Sequence, residues 1–168
     1  MEPLPLSDLL TTLGEIGAAF IGFSMIAGVL RPESSPEMRQ NFRFRHVAEA
    51  GLGVLFVSFL PLLIHAYGAN TDTTWIVASS ICLIPATVVP IVSWREVGVL
   101  ASLEAEPVRT VVSLALNVLM VSLFLSNVAL PAPYSGARYA TVVVLLLVTA
   151  GLIFIGATFG TSKEPPAV

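Results

Sequence analysis

The stretch TTLGEIGAAFIGFSMIAGVL, residues 11–30, is apolar enough to cross a lipid bilayer, yet it carries a carboxylate, Glu15, close to its start. The apolar run begins at Leu9, so Glu15 lies ~9 Å beneath the nearer edge of the hydrocarbon core. On insertion scales a charged side chain costs ~2.5–3.5 kcal/mol at the bilayer centre and less toward the edge. Helical side chains lean toward the helix N-terminus, so Glu15 reaches back toward the nearer membrane face. An ionisable residue inside a span is by default a functional candidate.

The rest of the chain makes the membrane reading necessary. Of 168 residues, 55% are hydrophobic and only 11% charged, with a mean hydropathy of +0.88. A soluble domain carries about 25% charged residues, so this inventory cannot build a water-facing surface. The expected fold is an all-α integral membrane protein. Five windows reach the ~20 apolar residues that a span requires: about 9–30, 47–67, 75–93, 110–130 and 138–159. The connecting stretches are short and hold no further domain. The start, MEPLPLSDLL, has no basic region, and the run behind it outlasts a signal-peptide core. The first segment is therefore expected to remain as a transmembrane helix.

Charge asymmetry sets the expected orientation. Alternating the sides, Arg31, Arg39, Arg43, Arg45, Arg95, Arg109 and Lys163 fall on one face and Arg138 alone on the other. The positive-inside rule then puts the N-terminus outside and the C-terminus in the cytoplasm. The predominance of Arg over Lys, with abundant Ala, Val and Leu, points to a bacterial protein of the cytoplasmic (inner) membrane. Trp75 and Trp94 are separated by ~28 Å of helix and are expected to mark the two interfaces of the third helix. Tyr67, Tyr134 and Tyr139 would join the outer belt, and Phe42 and Phe44 the inner one. Ser35, Pro36 and Glu37 resemble a helix start, which gives the second helix a cytoplasmic extension from about residue 36. The third helix is expected to continue past its span until Pro107 starts the fourth.

Small residues mark helix 1 as the expected centre of the bundle. Gly14, Ala18 and Gly22 form one i, i+4 stripe, and Gly17, Ser24 and Gly28 supply a second. Such residues let helix backbones approach closely, with helices 2 and 3 as the neighbours. The few polar residues suggest where the spans meet. Glu15, His65 and Asn127 are expected to form one polar cluster near the outer face, either a hydrogen-bonded clasp or an ion or proton path. Arg45, His46 and Glu49 are expected to form a cytoplasmic ion pair or gate. Arg39, Arg43 and Arg45 are suited to lipid headgroups, and Asn117 is expected to be the most buried amide, bonded to a neighbouring helix.

Chemistry is otherwise sparse. The single cysteine, Cys82, excludes an intrachain disulfide. No hydrolase, zinc-protease or dithiol motif is present, so no enzyme activity, metal or cofactor is expected. No basic run supports a nucleic-acid partner. The remaining readings are a homo-oligomeric ion or proton channel or small transporter, and a non-conducting accessory protein whose cytoplasmic helix extensions dock a protein partner. Reporter fusions test the orientation directly. A fusion at Ala69 should lie outside and one at the C-terminus in the cytoplasm, and the reverse pattern would overturn the assignment.

Overall fold

In a computed structural model of the chain, residues 3–29, 38–97, 107–130 and 134–159 are described, with side chains placed over 3–27, 46–91, 111–130 and 134–155. Each apolar run folds as one helix: α1 Ser7–Val29, α2 Met38–Ala66, α3 Thr71–Val97, α4 Pro107–Ala129 and α5 Ser135–Phe159. All five are long and apolar enough to cross a membrane. Below, the end where α1, α3 and α5 begin is called the upper end.

Local chemistry sets the upper turns. α2 stops where Gly68 takes a φ of 94° and its N–H bonds to the His65 carbonyl at 2.9 Å, a backbone state that suits glycine. Asn70 then caps α3, its Oδ1 accepting the Thr73 N–H at 2.8 Å. Across the next turn, Arg138 donates to the carbonyls of Ser126 and Leu130 at 3.4 and 3.2 Å. It thereby neutralises the negative end of the α4 dipole. At the lower end, α2 starts at Met38 and includes the polar stretch MRQNFRFR, residues 38–45, and α3 runs through WRE, residues 94–96, to Val97. Pro107 opens α4 as expected. Ser35, Pro36 and Glu37 lie outside the described residues.

Helices α2, α3, α4 and α5 form a four-helix ring in which each contacts its sequence neighbour and α5 closes back onto α2. α1 lies outside this ring. It packs along α2 and, near its lower end, against α5 through Phe20 and Phe154, whose ring centroids are 5.9 Å apart. Among the described residues it touches neither α3 nor α4. The expectation of a central helix 1 between helices 2 and 3 is therefore corrected. The central helix is α5, which contacts all four others. Of the small residues on α1, Gly14, Gly17 and Ser24 are buried in the seam with α2, whereas Ala18 is exposed and a Cβ on Gly22 would meet nothing within 4 Å.

The α1–α2 seam has heptad spacing. Leu10, Leu13, Gly17, Phe20 and Ser24 face Val47, Gly51, Val54, Ser58 and Pro61 of the antiparallel partner, and most of these are buried. This is the two-helix packing that a 3.5-residue repeat produces.

A proline explains what holds the upper half shut. Pro61, inside α2, has no N–H, so the Val57 carbonyl one turn earlier loses its helical donor. Tyr139 of α5 supplies the replacement, its Oη donating to Val57 O at 2.8 Å. With that proton committed, the Cys82 thiol of α3 donates to Tyr139 Oη, at an S···O distance of 3.4 Å. The Tyr139 ring meets Trp75 of α3 and Phe124 of α4 at 5.5 and 5.7 Å. One tyrosine thus joins four helices. Trp75 and Tyr139 are core residues, 2% and 0% exposed, and not the interfacial anchors expected of them. Tyr67 and Tyr134 are exposed at the upper end. The side chains of Phe42, Phe44 and Trp94 lie outside the described residues.

Tyr139→Phe should cost about 1–2 kcal/mol, because it leaves a buried carbonyl without a donor. In a Pro61→Ala background the helix regains its N–H, and the same substitution should lose most of its effect. Unfolding titrations in detergent on the four proteins of this cycle measure the coupling.

Candidate functional site

Glu15 projects from the face of α1 turned away from α2. It is exposed, and among the described residues its carboxylate has no hydrogen-bond or ion-pair partner. Its surroundings are Asp8, Thr12, Ile16 and Ala19, all exposed on the same side of the helix. Thr12 is locally satisfied, donating to the Asp8 carbonyl at 2.9 Å. Asp8 and Glu15 are thus the charged residues on this flank, Glu15 two turns deeper than Asp8.

The expected Glu15–His65–Asn127 cluster does not form within one chain. Contacts between Gly17 and Gly51, and between Gly14 and Ser58, fix the antiparallel register of α1 and α2. That register puts Glu15 level with about Leu55. His65 sits ten residues further along α2, ~15 Å away along the axis. The inward lean of a side chain cannot span that distance. His65 instead uses Nδ1 to donate to the Ala69 carbonyl at 3.0 Å, closing the turn into α3.

Asn127 is fully buried on the far side of the ring. Its Nδ2 donates to Ser79 Oγ at 3.2 Å and to the Ser135 carbonyl at 3.1 Å, tying α4 to α3 and to the start of α5. Oδ1 is buried without a protein partner. Asn127, not Asn117, is the most buried amide. The polar residues of the upper half thus serve separate local needs.

At the lower end His46 and Glu49 do meet, Nδ1 to Oε2 at 3.0 Å, one turn apart on α2. The side chains of Arg39, Arg43 and Arg45, expected at lipid headgroups or in this pair, lie outside the described residues. The pair borders a cavity of about 400 Å³ inside the four-helix ring. Its floor is the Tyr139 clasp, represented by Val57, Cys82 and Phe124, and its walls include Gly53, Met120 and Leu146. Asn117 lines this cavity, is only partly buried, and makes no hydrogen bond among the described residues. The expected bond from Asn117 to a neighbouring helix is absent, because α4 has no contact with α2 across the ring.

The Gly14–Ala18–Gly22 stripe is corrected too. Gly14 belongs to the seam, where an added Cβ would come within 2.6 Å of Phe59. Ala18 is exposed, and a Cβ on Gly22 would meet nothing within 4 Å. The close approach runs instead through Gly17 and Gly51, each of whose added Cβ atoms would strike the other's carbonyl oxygen, at 2.9 and 2.7 Å. Gly17 and Ser24 of the second expected stripe, seven residues apart, are both buried in this seam, whereas the Gly14–Ala18–Gly22 line crosses the helix surface.

No metal-binding group of three or more His, Cys, Asp or Glu occurs among the described residues. The chain matches no protein-family model, no curated protein and no solved structure.

Gly51→Val should separate α1 from α2 and destabilise the protein by about 1–3 kcal/mol, the usual cost of overpacking. Gly22→Val should be close to neutral in the same detergent-unfolding assay.

Proposed function

We propose that this protein is a homo-oligomer of the bacterial inner membrane in which copies meet through the outer flank of α1, and that Glu15 borders a cation or proton path between them. The proposed orientation keeps the N-terminus outside and the C-terminus cytoplasmic. One observation carries the reading: Glu15 lies within the apolar span Ser7–Ala27, on a face that its own chain leaves uncovered. An ionisable side chain at that depth is normally turned to a bundle interior or a water-filled cavity. Ala18, Ala19 and Gly22 beside it allow a second helix to approach closely. A path through the centre of a single chain is disfavoured, because Trp75, Phe124 and Tyr139 fill the upper half of the ring. Closed rotational symmetry repeats the same flank around an axis, which gathers one Glu15 from each copy.

The second reading is a non-conducting accessory protein with a cytoplasmic partner. What favours it is the helical state of the polar stretches MRQNFRFR, residues 38–45 of α2, and WRE, residues 94–96 of α3, at the lower end. It assigns Glu15 to a hydrogen-bonded clasp between subunits.

Flux separates the two. Proteoliposomes containing the wild-type oligomer should pass protons or monovalent cations. Glu15→Gln, which keeps size and hydrogen-bonding capacity but removes the charge, should lower the flux or change its selectivity while leaving the oligomer intact. Vesicles as tight as protein-free ones, with the oligomer confirmed by mass, would exclude the conducting reading and leave the docking protein.

A further inference from the structure

Within α2, Gly53 occupies a helix interior where alanine would be favoured by about 1 kcal/mol, yet a Cβ added there would meet nothing within 4 Å. No close backbone approach requires glycine at this position. It borders the ring cavity, and its missing side chain keeps part of that cavity open.

The cavity is graded along its length. His46 and Glu49 are its lowest described lining residues on α2. Ser113 and Asn117, one turn apart on α4, face it from the opposite wall. Beyond them the lining is apolar down to Val57, Cys82 and Phe124. Along α2 the described lining runs from His46 to Val57, ~16 Å, and the cavity volume is about 400 Å³. A volume of this size suits one hydrocarbon tail rather than two. Phe56 and Val89, which line the cavity from α2 and α3, are exposed, so a molecule can enter sideways from the bilayer.

We infer that this cavity binds a single-tailed amphiphile with a neutral, hydroxyl-bearing head, such as a monoacylglycerol. The tail lies against Val57, Cys82, Met120 and Phe124, and the head lies between Asn117 and the His46–Glu49 pair. Asn117 carries the polar recognition. Its amide offers both donors and an acceptor, it has no protein partner among the described residues, and inside a span such a group needs one. Pro90 adds a further acceptor by leaving the Ala86 carbonyl, at the cavity wall, without its helical N–H. The Glu49 carboxylate in the lowest described lining disfavours an anionic head. The cavity's order, polar in that lower lining and apolar at its floor, is that of a lipid entering from the lower leaflet.

The test uses the full chain in phosphatidylcholine nanodiscs and a palmitoyl monoacylglycerol with a diazirine midway along its tail. Photolabelling should saturate, map to α3 and α4 peptides containing Cys82 or Met120, and be competed by unlabelled monoacylglycerol. Asn117→Leu should weaken apparent affinity about three- to tenfold, the loss of one or two hydrogen bonds. Gly53→Leu should fill the cavity and abolish saturable labelling while the protein melts no earlier than wild type. Labelling that is non-saturable, or confined to bilayer-facing residues such as Val144 and Leu152, would overturn the inference. So would saturable labelling that persists in well-folded Gly53→Leu. Equal competition by palmitate would overturn the neutral head, and equal competition by a two-tailed phospholipid would overturn the single tail.

Discussion

The carbonyl of Val57 has no donor in its own helix, because Pro61 stands where the N–H should be. In water such a group would be hydrated at little cost. Inside a span it must find a donor within the protein, and Tyr139 provides it. The consequences extend well beyond one bond. A tyrosine hydroxyl deep between helices draws α5 into the centre, brings the ring against Trp75 and Phe124, and gives the Cys82 thiol an acceptor. The upper half of the ring closes around that side chain.

Below the Tyr139 clasp lies the cavity, where Gly53 of α2 and Asn117 of α4 are among the lining residues. Pro85 and Pro90 of α3 line the same region, where each removes a helical hydrogen bond. Bulky aromatic side chains fill the ring at the clasp, and below it the lining includes the small residues Gly53, Ala50 and Ala86.

α1 follows a different logic. It joins the ring through a seam in which Gly17 and Gly51 bring two backbones together. Dispersion and close backbone contact drive such packing, since lipid supplies no hydrophobic gain for burying one apolar surface against another. The seam consumes one face of α1 and leaves Glu15 on the other. The charge is thus on a flank of α1 that its own chain leaves uncovered.

Helix number and extent were legible in the residues themselves. Twenty apolar residues bounded by Pro, Asn or charge have few alternatives in a chain this poor in charge, so the five spans and the Pro107 start of α4 followed directly. The uneven distribution of arginine is likewise a property of the chain, and Arg138, the exception, proves to be a cap on α4. Which helix is central, and which polar residues meet, depended on the tertiary structure. Glu15, His65 and Asn127 fall in the same half of the membrane by residue counting, but counting along helices carries no azimuth and only a coarse register. The glycine contacts of α1 and α2 set that register and separate Glu15 from His65. Pro61 announced in the sequence that a carbonyl needed a donor. Only the packing of four helices decided that the donor was Tyr139, because a side chain from a different span supplies it and no local pattern links the two.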